Sequence, residues 1–167
     1  SILDKNNRYK SILYIQGEQL VEVVLEIFGN IIGSQDINFE DIGDEDYLLK
    51  FSDVTFIMEI KGTTKQVKKE YVSQLLTHVG KYETKIEDEN KSENVKGLLI
   101  INYKRDVPIF EREEPQEQQS ELAITLGVLI ITTQTLLKIY EKYMKEELSS
   151  EEIIKKLKTE KGLLKLD

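Results

Sequence analysis

The residues that could do chemistry lie at the end of a short, largely apolar stretch. The run from Phe56 to Gly62 (FIMEIKG) opens with aromatic and β-branched residues and closes on a glycine, so it predicts a β-strand. Because side chains alternate along a strand, Glu59 and Lys61 share one face, and Phe56, Met58 and Ile60 share the other. The polar face therefore carries an acid followed by an amine.

A second strand is predicted just upstream, over Asp46–Lys50, with a polar turn centred on Ser52 and Asp53. This register makes Asp46 and Glu59 direct cross-strand neighbours, and it pairs Leu48 with Ile57 and Lys50 with Thr55. A shift of one residue would disrupt the apolar face that the register creates. The residues on that face are Tyr47, Leu49, Phe51, Val54, Phe56, Met58 and Ile60.

This register predicts a carboxylate metal site. Cβ atoms of direct cross-strand neighbours lie about 5 Å apart, and the same pairing brings Asp44 near Lys61. Two carboxylates this close repel each other and need a cation between them, and hard oxygen ligands suit Mg²⁺. Such a site can hold a metal-bound water, orient it for attack on a phosphodiester and stabilise the charge that develops on phosphorus.

The same residues resemble the signature of the PD-(D/E)XK nuclease family. Asp46 is followed thirteen residues later by Glu59-Ile60-Lys61 and then by Gln74 on the next predicted helix. The chain is similar to the restriction-endonuclease-like branch with a helical glutamine, from about Ile12 to Thr133. The family's proline before the first acid is replaced by Glu45, so Asp44 and Asp41 remain alternatives to Asp46.

The resemblance implies an α/β/α sandwich with a mixed central sheet, and a Mg²⁺-dependent endonuclease in which Mn²⁺ could substitute. DNA is the expected substrate, in restriction, defence or repair. Asp46, Glu59 and the main-chain carbonyl of Ile60 would bind the metal. Lys61 would orient the attacking water, and Gln74 would position the site or the phosphate.

Two further residues are candidates for the site. A glutamate on the first helix often completes such sites in the family, and Glu22 is the nearest candidate here. The apolar periodicity of the helix predicted over Ser11–Ile32 points Glu22 to solvent instead. His78 shares a polar helix face with Gln74 and Lys81, and a solvated position is the favoured interpretation because a lone histidine specifies little.

A cluster of lysines follows the predicted site. Lys65, Lys68 and Lys69 fall in the acid-free stretch after Lys61, although the chain has a net charge of −8 that argues against a broad nucleic-acid surface. We expect these three lysines to contact the phosphate backbone near the start of a helix capped by Thr63 or Thr64. Lys104, Arg105 and Arg112 could also touch phosphates, but a solvated loop is the favoured interpretation.

The remaining pattern predicts alternating strands and helices around one core. The predicted segments are an irregular lead-in over 1–10, a strand over 37–42, a helix to about Tyr82, a charged loop over 86–94, a strand over 95–102, a long loop over 103–121, a strand over 126–132, a helix capped by Thr132 or Thr133, a helix with a Ser149–Glu152 capping box running through Leu157, and an edge strand at Leu163-Leu164.

Composition narrows the possibilities. The 167 residues suit one domain spanning 1–167, and the absence of cysteine with a single histidine excludes thiolate and multi-histidine zinc sites within one chain. No apolar run approaches the roughly 20 residues of a membrane span, and no signal peptide is visible, so we predict a cytoplasmic protein with no membrane partner. A start at Ser1 suggests a domain cut from a longer protein, with further domains or subunits and a possible homodimer.

Two other functions stay open. The scaffold could be a catalytically inactive restriction-endonuclease-like module that binds nucleic acid or protein within a larger assembly. It could also be an acidic protein-interaction domain that binds no metal.

Overall fold

The computed structural model describes residues 1–32, 39–43 and 46–167, which form helices on both faces of a six-stranded sheet. The helices are α1 (Ile2–Lys10), α2 (Gly17–Ile31), α3 (Lys69–Asp88), α4 (Glu117–Leu126), α5 (Thr133–Met144) and α6 (Ser150–Thr159), with 3₁₀ turns at Ser11–Leu13 and Ile109–Glu111. The strands are β1 (Phe39–Gly43), β2 (Asp46–Lys50), β3 (Thr55–Gly62), β4 (Val95–Asn102), β5 (Leu129–Thr132) and β6 (Gly162–Leu163).

The sheet is mixed, and its strands lie in chain order. Strands β1 to β3 run antiparallel, whereas β3 to β6 run parallel to one another. In the β2–β3 hairpin, Asp46 pairs with Glu59, Leu48 with Ile57 and Lys50 with Thr55. The register predicted from the alternation of apolar residues is therefore confirmed.

Each face of the sheet packs against its own layer of helices. Helices α1, α2, α5 and α6 cover the face that carries Leu49, Phe56 and Met58, and α3 and α4 cover the face that carries Leu48 and Ile57. The predicted α/β/α sandwich is confirmed. Because direct partners in an antiparallel pair point to the same side, Asp46 and Glu59 lie on the α3 side.

The first ten residues were predicted to be irregular, but they form α1. Ser1 and Asp4 make a capping box, and Tyr9 is buried against the ring of Tyr140. The helix predicted over Ser11–Ile32 is interrupted, because Ser11–Leu13 forms a 3₁₀ turn before α2 begins at Gly17.

Helix α3 differs from its prediction at both ends. It begins at Lys69 rather than after Thr63 or Thr64, because the backbone N–H of Thr63 donates to Asn102 and continues the pairing with β4. It ends at Asp88, inside the predicted loop. That loop is anchored by Glu93, which accepts hydrogen bonds from Thr55 and Tyr82; with Lys50 nearby, these bonds hold the pKa of Glu93 below its usual value.

Helix α4 lies within segments that were predicted to be loop and strand. Ala123 is its one fully buried residue, so no apolar stripe revealed it. It ends at Gly127, whose positive φ of 72° suits glycine. Strand β5 therefore begins at Leu129, not at Leu126.

The end of the chain follows its prediction closely. The Ser149–Glu152 capping box begins α6, and β6 lies at the sheet edge beside β5. The predicted strand over 37–42 is seen from Phe39, while 37 and 38 lie outside the described residues. Among the residues that the structure describes, no helix has the length and apolar character needed to cross a membrane.

Candidate active site

Two buried carboxylates meet near the end of the β2–β3 hairpin. Asp46 is 1% exposed and Glu59 is 7% exposed, and the two residues are direct partners in the sheet. Acids are rarely buried in this way, and side-by-side carboxylates repel each other. The sequence predicted this pair, because the apolar pattern of the hairpin leaves no other register.

His78 reaches the same place from α3. The buried side of α3 carries Leu75, Val79 and Tyr82, and this stripe turns His78 toward the sheet. Its Nδ1 atom lies 2.5 Å from Oδ2 of Asp46, and its side chain is 12% exposed. The two atoms are close enough for an ion pair, but their geometry does not meet the angle that a hydrogen bond requires.

The solvated position predicted for His78 is therefore wrong. A single histidine on a helix has no pattern of its own, and only the packing of α3 against the hairpin reveals the contact. The sequence feature that could have placed His78 at the site is its position four residues after Gln74, because residues at that spacing share a helix face. Gln74 itself is exposed, one turn before His78.

Lys61 follows Glu59 by two positions and shares its face of β3. Its ammonium lies 4.6 Å from the centre of the Tyr71 ring, in the first turn of α3. A cation over an aromatic face is attracted by the ring's quadrupole. Helix α3 thus positions two polar groups beside the hairpin, through Tyr71 and His78.

The donors for a metal ion are few but chemically suitable. No three side chains of histidine, cysteine, aspartate or glutamate cluster as metal ligands within 1–32, 39–43 and 46–167. The predicted ligand set uses only two carboxylates and the carbonyl of Ile60, and such oxygen ligands suit Mg²⁺ or Mn²⁺. The residues present therefore fit a hard divalent cation that retains several waters.

The structure tests one of the two alternative acids by its backbone pairing. Asp41 pairs with Tyr47 rather than with Glu59, and Asp44 lies outside the described residues. Glu22 is 72% exposed and forms an ion pair with Arg8 at 3.3 Å. The prediction that Glu22 is solvated is confirmed.

The predicted phosphate-binding lysines gather where α3 begins. Lys68 is the N-cap residue, Lys69 is the first helical residue and Lys65 lies in the preceding loop. An open cleft of about 390 Å³ lies beside Lys68 and Lys69. Its other walls are largely polar, and include Gln66, Gln116, Gln118 and Gln119.

Arg112 is not available to a phosphate. It is 9% exposed, and its guanidinium donates to Asn102 Oδ1 at 3.1 Å and to the carbonyl of Val107 at 2.8 Å. It also donates to the carbonyls of Leu13 and Arg105. The solvated position favoured for Arg112 is wrong, because the chain folds around this side chain instead of leaving it in a loop.

Comparison with known proteins identifies the fold but not a family. No protein-family model matches the sequence, and no curated protein matches it closely enough to count as a relative.

Solved structures that are similar in fold include two of the restriction endonuclease FokI. One is the restriction endonuclease FokI bound to DNA, with a TM-score of 0.63 and 13% identity, which covers 98% of this chain and 30% of the FokI chain. Another structure of FokI has a TM-score of 0.60 and 14% identity, and covers 93% of this chain and again 30% of that one. At this identity the likeness concerns the fold alone. The chain has a restriction-endonuclease-like fold, as the sequence predicted.

Proposed function

We propose that this domain is a metal-dependent nuclease that hydrolyses phosphodiester bonds in nucleic acid, with DNA as the expected substrate. The observation that carries the proposal is the buried pair Asp46 and Glu59, with Lys61 on the same strand face. Burying two like charges together lowers stability unless a cation joins them. The likeness in fold to an endonuclease solved with DNA supports the same function.

The metal ligands would be Asp46, Glu59 and the carbonyl of Ile60. A bound Mg²⁺ or Mn²⁺ would supply an activated water and a Lewis acid for the phosphoryl oxygen. The order of Asp46, Glu59 and Lys61 also matches the PD-(D/E)XK pattern, and membership in that family is part of this proposal.

The surrounding residues act by position and charge. Lys61 orients the attacking water and neutralises the charge that develops in the transition state, while the ring of Tyr71 holds its ammonium in place. His78 holds the carboxylate of Asp46 in one orientation, as partners of metal ligands commonly do. Gln74, one turn away on α3, contacts the phosphate.

Nucleic acid would bind along the start of α3. The helix N-terminus favours anions, and Lys65, Lys68 and Lys69 add positive charge beside it. Replacing all three with glutamate should abolish binding while the fold stays intact. In the matched control, glutamate replaces Lys10, Lys155 and Lys156, which lie on the opposite helix layer. This variant should retain most of the nucleic-acid binding. Unchanged binding and salt dependence in the first variant would exclude this surface.

A second candidate is a catalytically inactive module that binds nucleic acid or protein. The observation in its favour is that His78 already contacts Asp46, so that carboxylate has a protein partner without a metal. The chain covers only 30% of FokI, so further domains or subunits, or a homodimer, are also part of the proposal.

One experiment distinguishes the nuclease from the catalytically inactive binding module. The protein is incubated with single- and double-stranded DNA and with RNA, each with Mg²⁺ or Mn²⁺, beside an Asp46→Asn variant. The nuclease proposal predicts cleavage by the unmutated chain only, and calorimetry should show weaker metal binding in the variant. Equal metal affinity in the two proteins would move the site away from Asp46.

A further inference from the structure

A second candidate site lies away from the carboxylate pair. A cavity of about 180 Å³ sits at the carboxyl ends of β4, β5 and β6. Its walls come from four parts of the chain: the residue after β4, the segment before α4, the first turns of α5 and the residues after β6. The polar residues that line it are Tyr103, Glu114, Thr132, Gln134, Thr135, Lys138 and Lys165.

The topology of the sheet opens this cavity. Helix α4, which follows β4, packs with α3 on one face of the sheet. Helix α5, which follows β5, packs with α2 on the other face. Where neighbouring connections leave toward opposite faces, a crevice opens outside the carboxyl ends of the strands, and open α/β sheets bind ligands at such points.

Two polar groups in the cavity wall have no partner in the parts of the chain that are described. Tyr103 is 3% exposed, and its hydroxyl makes no hydrogen bond there. The Nε2 atom of Gln134 is shut off from solvent and also makes none. Buried polar groups are normally paired, and of these two the Tyr103 hydroxyl is the one that a ligand in the cavity could reach.

The charges around the cavity favour an anion. The first turn of α5 contains no acid, and the helix dipole gives this end a partial positive charge, although Thr132 Oγ1 already accepts a hydrogen bond from the backbone N–H of Thr135. Lys138 lies one turn further along, and Lys165 stands on another wall. The acid there is Glu114; burial, and then Glu114, raise the pKa of Tyr103, which keeps its hydroxyl a donor at neutral pH.

We infer that this cavity binds a phosphate group. Tyr103 and the first turn of α5 would donate to its oxygens, and Lys138 and Lys165 would balance its charge. The group could be free phosphate or a phosphate of a nucleic-acid strand. The inference does not depend on the nuclease proposal, because it uses neither Asp46 nor Glu59.

The test is a titration of the metal-free protein followed by backbone-amide NMR. Three ligands are added separately: inorganic phosphate, a short oligonucleotide with a 5′-phosphate, and the same oligonucleotide without it. We expect the amide signals of Gln134 and Thr135 to shift. A shift with inorganic phosphate identifies the ligand as a free ion. A shift only with the phosphorylated oligonucleotide identifies it as the phosphate at a strand end. Equal shifts with both oligonucleotides identify it as a phosphate within the strand.

Variants decide whether the cavity itself is responsible. Tyr103→Phe keeps the buried ring and should weaken binding about tenfold, and Lys138→Gln should do the same. Lys155→Gln removes an equal charge from an exposed position on α6 and should have no effect. The inference is overturned if no ligand shifts Gln134 and Thr135, or if Lys155→Gln weakens binding as much as Lys138→Gln. Because no metal is present, either result leaves the nuclease proposal standing.

Discussion

Buried charges occur in two settings in this molecule. Lys96 and Arg112 each place a cation among main-chain carbonyls, whereas Asp46 and Glu59 place two anions side by side. The ammonium of Lys96 donates to the carbonyls of Leu157 at 2.8 Å, Lys158 at 3.3 Å and Glu160, which α6 leaves open where it ends.

The difference separates charges that hold the fold from charges that serve a ligand. A cation saturated by fixed carbonyls completes the structure and leaves nothing for a partner to add. A pair of like charges gains from a cation that binds between them. We therefore expect substitutions at the cation sites to change stability, and substitutions around the acid pair to change metal binding and catalysis.

The largest expected change in stability is at Arg112. Arg112→Met should lower the free energy of unfolding by about 3 kcal/mol, because it leaves Asn102 and buried carbonyls without a donor. Chemical denaturation measures this loss, and metal affinity should stay unchanged. Arg8→Met, at an exposed ion pair, should change the free energy of unfolding far less than Arg112→Met does. A stable Arg112→Met that loses only nucleic-acid binding would place Arg112 with the phosphate ligands.

His78→Ala should change the metal affinity and leave the stability nearly unchanged, the reverse of the result expected for Arg112→Met. We expect metal affinity to fall about tenfold, because the substitution frees the Asp46 carboxylate to rotate. Stability should change little. Calorimetry with Mn²⁺ measures the metal affinity, and His78→Gln should recover part of it. Lys81→Ala, on the exposed side of α3, serves as the control. Unaltered affinity in His78→Ala would leave His78 a packing residue.

Lys96 should also make the stability depend on pH. Burial, and then the nearby Lys161, lower the pKa of Lys96 from 10.5 to about 8. Between those values the unfolded chain binds more protons than the folded one, so stability from this group rises with pH, by at most about 1.4 kcal/mol per pH unit. The difference in unfolding free energy between the unmutated chain and Lys96→Met should grow from pH 8 to 10. A constant difference would contradict this assignment.

The sequence was sufficient where one physical rule dominated. Alternation of apolar residues predicted the hairpin register, and with it the meeting of Asp46 and Glu59. The capping box at Ser149 predicted the start of α6. The α/β/α layers followed from the order of strands and amphipathic helices.

The sequence was insufficient where contacts between distant segments decide the outcome. Helix α4 has almost no buried stripe, so its apolar residues do not recur at the helical spacing that would predict it. The burial of Arg112 depends on carbonyls as far away as Leu13, and the role of His78 depends on how α3 packs. Neither can be read from local residue types.

The most direct test of the account is single-turnover cleavage by Lys61→Ala, measured beside metal and nucleic-acid binding on the same protein. Lys61 lies on the strand that carries Glu59, and its proposed action is confined to the attacking water and to charge present only in the transition state. We expect cleavage to fall on the order of 10²–10³-fold while both affinities stay within about twofold. Full cleavage by Lys61→Ala would contradict it.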